Sequence, residues 1–208
     1  MGIARNESVA GTIVQFKLSA GVHRLTEPMR FDGSVVASEV IIIGEEGTVI
    51  SLPLASKRRR TSTHTGTVRA ALILSTQQKV QLQGIVFQGG AASFRVAAVV
   101  VERGELEMRN CIVRGVQGTR ALHASGGKSI IQSSRFEANL GGAIEASSGS
   151  KVLIRDSFIV ENTAVNGGAL AVTGDLTEVT AIATRIERNS AEVRGGGLHV
   201  AAGSVILA

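Results

Sequence analysis

Two stretches near the C-terminus, NTAVNGGALAV at residues 162–172 and NSAEVRGGGLHV at residues 189–200, repeat the same order of residue types. Each has an asparagine, a small residue, a variable gap, a glycine pair and a short apolar run. Glycine adopts positive φ without a Cβ penalty, and asparagine tolerates the left-handed conformation. The pattern therefore predicts a sharp corner followed by a new strand, with the asparagines hydrogen-bonded to their equivalents as a ladder.

The repeat extends over most of the chain, beginning near residue 71. One column has the order small, apolar, any residue, apolar, and successive units are offset by 27, 23, 22, 26 and 28 residues. We expect its first large apolar members to form one interior file: Leu72, Val99, Leu122, Ile144, Leu170 and Leu198. Solenoid proteins show this kind of fixed-period self-similarity.

Two further columns follow the first in each of the first five units, and they alternate with a period of two, which is typical of strands. The second contains Val80/Leu82, Leu106/Met108, Ile130, Val152/Ile154 and Ile182. The third combines a small or polar bend residue with an apolar one: Gly84/Val86, Asn110/Ile112, Ser134/Phe136, Asp156/Phe158 and Thr184/Ile186. The glycines and β-branched residues oppose helices.

Units with three short strands bury their apolar residues when corresponding strands stack in parallel. The predicted fold is all-β, a right-handed parallel β-helix of seven or eight coils with three strands per coil. Residues 12–25 and 38–52 are expected to form the less regular opening coils. We treat residues 1–208 as one domain, either complete or a fragment of a longer protein, with a basic Ser/Thr-rich loop inserted at residues 53–69.

Composition agrees with such a core. Hydrophobic residues make up 44% of the chain and aromatic residues only 3%, so the interior must consist of aliphatic side chains. The single cysteine, Cys111, cannot form an internal disulfide and is expected to be a small buried hydrophobe. Neither a signal peptide nor an apolar run of membrane-spanning length is visible.

The stretches FEANLGGAI (136–144), ENTAVNGGAL (161–170) and ERNSAEVRGGGL (187–198) resemble the GGA(I/L) and FxxN repeats of the chlamydial polymorphic outer-membrane proteins. More broadly, the coil pattern is similar to the pectin-lyase-like superfamily. The resemblance implies an extracellular or cell-surface location and an adhesin-like role. The superfamily also includes polysaccharide lyases and hydrolases.

Catalysis on acidic polysaccharide would need clustered carboxylates. The three aspartates, Asp32, Asp156 and Asp175, are far apart or at bends, and Asp156 is expected to be structural. The sequence predicts a solvated face of cross-strand pairs for Glu102, Glu105 and Glu107, which alternate with Arg103 and Arg109. It also predicts an exposed ion pair between Glu161 and Arg188.

The histidines are His23, His64, His123 and His199. His123 and His199 should both face outward from one sheet, three coils apart, where they are too distant to share a metal. We predict no catalytic, cofactor-binding or metal-binding residues. The leading hypothesis is a non-enzymatic spacer or adhesin-like surface, and the alternative is a lyase or glycoside hydrolase of acidic polysaccharide whose active coils lie elsewhere.

One composition shift stands out, the stretch SKRRRTSTHTGTVR at residues 56–69. Its basic residues, Lys57, Arg58, Arg59 and Arg60, indicate either a solvated excursion or a contact for an acidic glycan or another polyanion. A proteolytic or phosphorylation site is a further alternative. Sequence-specific nucleic-acid binding is not expected, because the stretch lacks aromatic residues for base stacking. A protein partner or neighbouring coils could cover the C-terminal end.

Overall fold

The computed structural model describes residues 11–33, 37–52, 69–90, 93 and 95–208. Over these residues the chain winds through three parallel sheets, and no α-helix is present in the described ranges. Each sheet receives one strand from every coil, so hydrogen bonds join residues that lie more than twenty positions apart. Seven coils are complete and an eighth begins, in agreement with the sequence prediction.

Sheet 1 contains the first strand of each coil, and its order follows the chain. Its strands are β1 (Ile13–Leu18), β4 (Glu39–Gly44), β7 (Lys79–Gln83), β10 (Glu105–Arg109), β13 (Lys128–Gln132), β16 (Lys151–Arg155), β20 (Glu178–Ile182) and β24 (Ser204–Leu207).

Sheet 2 contains the second strand of each coil and has seven members. They are β2 (Gly21–Arg24), β5 (Thr48–Ser51), β8 (Val86–Gln88), β11 (Ile112–Arg114), β14 (Arg135–Glu137), β17 (Phe158–Val160) and β21 (Arg185–Glu187).

Sheet 3 contains the third strand of each coil. It consists of β3 (Met29–Phe31), β6 (Arg69–Leu74), β9 (Val96–Val101), β12 (Leu122–Ala124), β15 (Ile144–Ala146), β19 (Leu170–Val172) and β23 (Leu198–Val200). Two extra strands, β18 (Thr163–Asn166) and β22 (Ser190–Arg194), pair with each other at the corner between sheets 2 and 3.

The interior file predicted for sheet 3 is confirmed. The register pairs its six members consecutively: Leu72, Val99, Leu122, Ile144, Leu170 and Leu198. The first five are buried, and Leu198 is half-buried against the same core. Aliphatic side chains stacked from coil to coil therefore fill the interior of the solenoid. Their burial is the main stabilising contribution.

In sheet 1 two predicted core residues face outward instead. Ile130 pairs with Glu107, and Ile182 pairs with Arg155, so both lie on the outer face. The inward positions belong to Ser129 and Ile131 in β13, and to Val179 and Ala181 in β20. A one-residue shift in strand register reverses which side chains face the core, and adjacent apolar residues conceal such a shift in the sequence.

A similar correction applies to sheet 2. Phe136 and Ile186 face inward as predicted, but Val86, Ile112 and Phe158 occupy the outer row. The inward file consists of His23, Ile50, Phe87, Val113, Phe136, Ile159 and Ile186. Phe158 is consequently 39% exposed, whereas its neighbour Ile159 is buried.

From the third to the seventh coil, the corner before sheet 2 is made by one left-handed residue per coil. Gly84, Asn110, Ser133, Asp156 and Ala183 all have φ between 48° and 67°. Asp156 therefore occupies a bend, as predicted, whereas Ser134 and Thr184 follow the bend rather than form it. The Ser134 hydroxyl accepts a hydrogen bond from the Cys111 amide at 3.1 Å, and the Ser157 hydroxyl accepts one from the Ser134 amide at 3.2 Å.

The predicted asparagine ladder is present at the next corner. Asn139 donates its side-chain amide to Asn162 Oδ1 at 2.8 Å, and Asn162 donates to Asn189 Oδ1 at 3.0 Å. The left-handed residues are not the asparagines but those just before them, Ala138, Glu161 and Arg188. The asparagines therefore act through side-chain hydrogen bonds that satisfy buried backbone groups at the corner.

Candidate functional site on the outer face of sheet 3

The outer face of sheet 3 carries a file of residues in which His123 and Glu145 are direct neighbours. Val100, His123, Glu145, Ala171 and His199 follow one another in register. Successive side chains of a strand point to opposite faces of the sheet, so His123 points outward between the inward-facing Leu122 and Ala124. As predicted, His123 and His199 face outward from one sheet and are three coils apart.

Thr119, His123 and Glu145 form a chain of polar contacts. The Thr119 hydroxyl lies 2.8 Å from His123 Nε2, and His123 Nδ1 lies 3.5 Å from Glu145 Oε2. The imidazole tautomer with its proton on Nδ1 suits both contacts, because Nε2 then accepts from the hydroxyl and the protonated Nδ1 is the nitrogen beside the carboxylate. The His123 side chain is 16% exposed and that of Glu145 is 37% exposed.

Arg120 joins this cluster to the backbone of a later coil. Its guanidinium donates to the carbonyl oxygens of Asn166 and Gly167, two coils farther along, and its Nε lies 4.0 Å from Glu145 Oε2. Gly142 lies beneath the guanidinium with φ of +95°, and a Cβ there would overlap the Arg120 side chain. The positive φ favours glycine at this position, and a larger residue would in addition displace the guanidinium.

Burial shifts the protonation equilibria of this cluster. It lowers the pKa of His123, Glu145 opposes that effect, and the positive charge of Arg120 lowers the pKa further. Burial also lowers the pKa of Arg120, with Glu145 acting in the opposite direction. The imidazole is therefore neutral at neutral pH and its Nε2 is available as a proton acceptor.

An apolar patch adjoins the cluster on the side of the earlier coils. Ala70, Ile73, Ala97 and Val100 form a second buried cluster, separate from the axial core. Val100 precedes His123 in the outward file. On the other side the file continues with the small residue Ala171, so the polar cluster lies between an apolar patch and a position with little side-chain volume.

A second charged group lies on the outer face of sheet 1. Glu107 contacts Arg109, and its carboxylate lies 3.3 Å from Lys79 Nζ, which also contacts Glu39 at 3.0 Å. The prediction of a solvated face is wrong for Glu107, whose side chain is only 6% exposed. Burial raises the pKa of Glu107, but hydrogen bonds from Arg109 and Lys79 outweigh it, and the pKa is lowered overall.

Other sequence predictions concern single residues or pairs. Arg188 contacts Glu161 across one coil at 2.9 Å, and both side chains are exposed, so the predicted ion pair is confirmed. Cys111 is buried, as predicted, and burial raises the pKa of its thiol to about 11. Glu105 pairs with Lys128 at 3.4 Å, which is one of the expected cross-strand pairs.

The basic residues Lys57, Arg58, Arg59 and Arg60 lie outside the described residues, as does His64. So does the predicted insertion at residues 53–69, except for Arg69, which begins β6. Within the described ranges, no group of three or more metal-ligating side chains converges. No helix in those ranges is long and apolar enough to cross a membrane.

Sequence reasoning singled out His123 but not Thr119, Arg120 or Glu145. A signal for Glu145 was present, because the 22-residue offset that aligns Leu122 with Ile144 also aligns His123 with Glu145. Thr119 lies four residues before His123, outside the repeating columns. Arg120 reaches carbonyl groups 46 and 47 residues away, and no pairwise column predicts such a contact.

Comparison with known proteins agrees with the observed architecture. The family model described as a right-handed beta helix region matches residues 68–206, more than half of the chain. No curated protein and no solved structure matches the chain. The match is consistent with the pectin-lyase-like superfamily, while the likeness to the chlamydial proteins remains a resemblance between sequence motifs. The chain therefore belongs to the right-handed β-helix family.

Proposed function

We propose that the chain is a β-helical segment of a surface or secreted protein, where it serves as a rigid spacer and presents an adhesin-like binding surface. The observation that carries the spacer role is the unbroken interior file from Leu72 to Leu198. Each coil is joined to the next by three parallel strand pairings. A solenoid of this kind holds its two ends at a fixed separation, because each repeat is fixed by its neighbours.

Charged residues on the outer face of sheet 1 support the same role. Lys128 pairs with Glu105 in the preceding coil at 3.4 Å, and Lys151 pairs with Glu178 in the following coil at 3.4 Å. These pairs link adjacent coils and neutralise charge along the face. The carboxylates therefore contribute to coil-to-coil contacts.

Sheet 2 offers the binding surface. The exposed ring of Phe158 lies in register between Arg135 and Arg185, and the Arg135 guanidinium carbon is 5.5 Å from the ring centroid. Glu137 and Glu187 contact the two arginines within their own strands. Aromatic and arginine side chains are enriched at protein interfaces, which supports this surface as the contact area.

A distance measurement by electron paramagnetic resonance tests the spacer role. Spin labels at Arg30→Cys and His199→Cys, in a Cys111→Ser background, would lie on one outward file, six coil steps apart. At about 4.8 Å per step the backbone separation is about 29 Å. We expect a narrow distance distribution near this value plus the label arms, and a broad distribution would contradict rigidity.

Adhesion of coated beads tests the binding surface. Beads carrying the chain are applied to surfaces coated with purified glycans and extracellular-matrix proteins, and retention under flow is counted. We expect Phe158→Ala to reduce retention. Leu176→Ala, which removes another exposed apolar side chain on a separate turn, should leave retention unchanged. Equal retention of the unsubstituted chain and Phe158→Ala would refute the role of sheet 2.

A further inference from the structure

We propose that Thr119, His123 and Glu145 form an acyl-transfer site that hydrolyses esters of small carboxylic acids. The inference does not rest on the spacer or adhesin role. It assigns an activity to one pair of coils within the solenoid, and it departs from the non-enzymatic expectation drawn from the sequence. Its basis is the arrangement of the three side chains.

The arrangement matches the roles of a nucleophile, a general base and an orienting carboxylate. The hydroxyl-to-imidazole distance of 2.8 Å allows Thr119 to donate its proton to Nε2. The carboxylate of Glu145 lies on the opposite side of the ring, 3.5 Å from Nδ1. Such constellations recur on unrelated folds and in different chain orders, so they are recognised by geometry.

The reaction would proceed in two steps, acylation of Thr119 and hydrolysis of the ester formed there. Thr119 Oγ attacks the ester carbonyl carbon while its proton passes to His123 Nε2, and His123 then gives that proton to the departing alkoxide as the ester C–O bond breaks. The acid group is now bound to Thr119 as an ester. Water next attacks this ester, His123 accepts the proton of the water and returns it to Thr119 Oγ, and the carboxylic acid leaves.

Arg120 acts as a positioning residue rather than as part of the reaction. Its hydrogen bonds to the carbonyl groups of Asn166 and Gly167 fix it between coils, and its Nε faces Glu145 at 4.0 Å. The carboxylate is thereby held beside the imidazole. The lowered pKa of His123 is compatible with a neutral base at neutral pH.

The surroundings indicate a small acyl group. Val100 is the neighbour of His123 on the side of the earlier coils, and it is a buried apolar residue. Beyond Glu145 the file continues with Ala171, a small side chain that is itself buried. Thr119 itself is only half-buried, so the pair lies near the surface of the solenoid. The buried neighbours on both sides of the pair therefore favour a short acyl chain, such as an acetyl group.

Hydrolysis of 4-nitrophenyl acetate by the full chain tests the proposal. We expect Thr119→Val, which keeps the side-chain shape but removes the hydroxyl, to reduce the rate to that of free imidazole at equal histidine concentration. Thr119→Ser should restore hydrolysis, because it restores the hydroxyl. His123→Gln should abolish hydrolysis, and Glu145→Gln should reduce it at least tenfold.

Two controls separate catalysis from folding and from adventitious imidazole chemistry. Thr163→Val removes a hydroxyl that contacts Ser190 at 2.9 Å, two coils farther along the same corner, and it should hydrolyse the ester at the unsubstituted rate. Circular dichroism checks that each variant retains its β-structure. Mass spectrometry after treatment with a fluorophosphonate should place a single adduct on Thr119. Hydrolysis by Thr119→Val at the unsubstituted rate, or an adduct elsewhere, would overturn the proposal.

Discussion

Replacing Asn162 should destabilise the solenoid more than replacing Asn189, the next asparagine of the ladder toward the C-terminal end. Asn162 is fully buried. Its Oδ1 accepts hydrogen bonds from the backbone and side-chain amides of Asn139, at 3.1 and 2.8 Å. Its Nδ2 donates to the carbonyl oxygens of Phe136 and Val160, each at 3.0 Å. Asn162→Ala deletes all of these contacts at once.

The expected magnitude follows from the groups that lose a partner. A buried polar group left unsatisfied costs about 1–3 kcal/mol, and the Asn139 backbone amide and the Phe136 carbonyl both lose the asparagine. We therefore expect Asn162→Ala to lower the free energy of unfolding by about 3 kcal/mol. Asn189→Ala is the matched comparison, because this asparagine occupies the next rung and is only half-buried. We expect it to cost about 1 kcal/mol.

Urea denaturation followed by circular dichroism measures both variants. The midpoint concentration should fall for Asn162→Ala with little change in the denaturant slope, which would indicate lost stability rather than altered compactness. Equal midpoints for the two variants, or a cost below about 0.5 kcal/mol for Asn162→Ala, would refute the view that buried asparagines hold this corner.

Three further predictions concern single groups. Cys111 should resist a thiol reagent at pH 8 in the folded chain and react fully in urea, because burial raises its pKa to about 11; rapid labelling of the native chain would contradict this. The lowered pKa of Glu107 makes its contribution to stability present above the unfolded-state pKa and lost as pH falls through the folded-state pKa. Glu107→Gln should therefore flatten the acid side of the stability curve in urea denaturation at pH 3–7, and an unchanged curve would contradict this. Replacing Lys57, Arg58, Arg59 and Arg60 together by Gln should lower the salt concentration at which the chain elutes from heparin, and unchanged elution would exclude this run as a polyanion contact.

The sequence predicted sheet 3 well because its repeating columns are unambiguous. Each strand places one large apolar residue after a small one, as in Ala121 followed by Leu122. In sheet 1 the pattern is weaker, since Ile130 and Ile131 are adjacent and either could face the core. The inward position before them belongs to Ser129, a polar residue that is completely buried. Alternation alone could not decide between the two registers.

The candidate site was only partly predictable. The outward orientation of His123 followed from strand alternation, and its neighbour Glu145 was implicit in the coil offset. The contact with Thr119 depends on the shape of a corner, and the contact of Arg120 with Asn166 and Gly167 depends on a side chain that crosses two coils. Such contacts arise from three-dimensional stacking and leave no periodic signal in the sequence.

Methyl NOE spectroscopy of the folded chain tests the central claim most directly. If the coils stack in the described register, the methyl groups of Leu122 should show NOEs to those of both Val99 and Ile144, its neighbours in the interior file. Leu72 should show none to Ile144, because three coil steps separate them by about 14 Å along the axis. Absence of the Leu122 to Ile144 NOE, or a direct NOE between Leu72 and Ile144, would contradict the stacked β-helix.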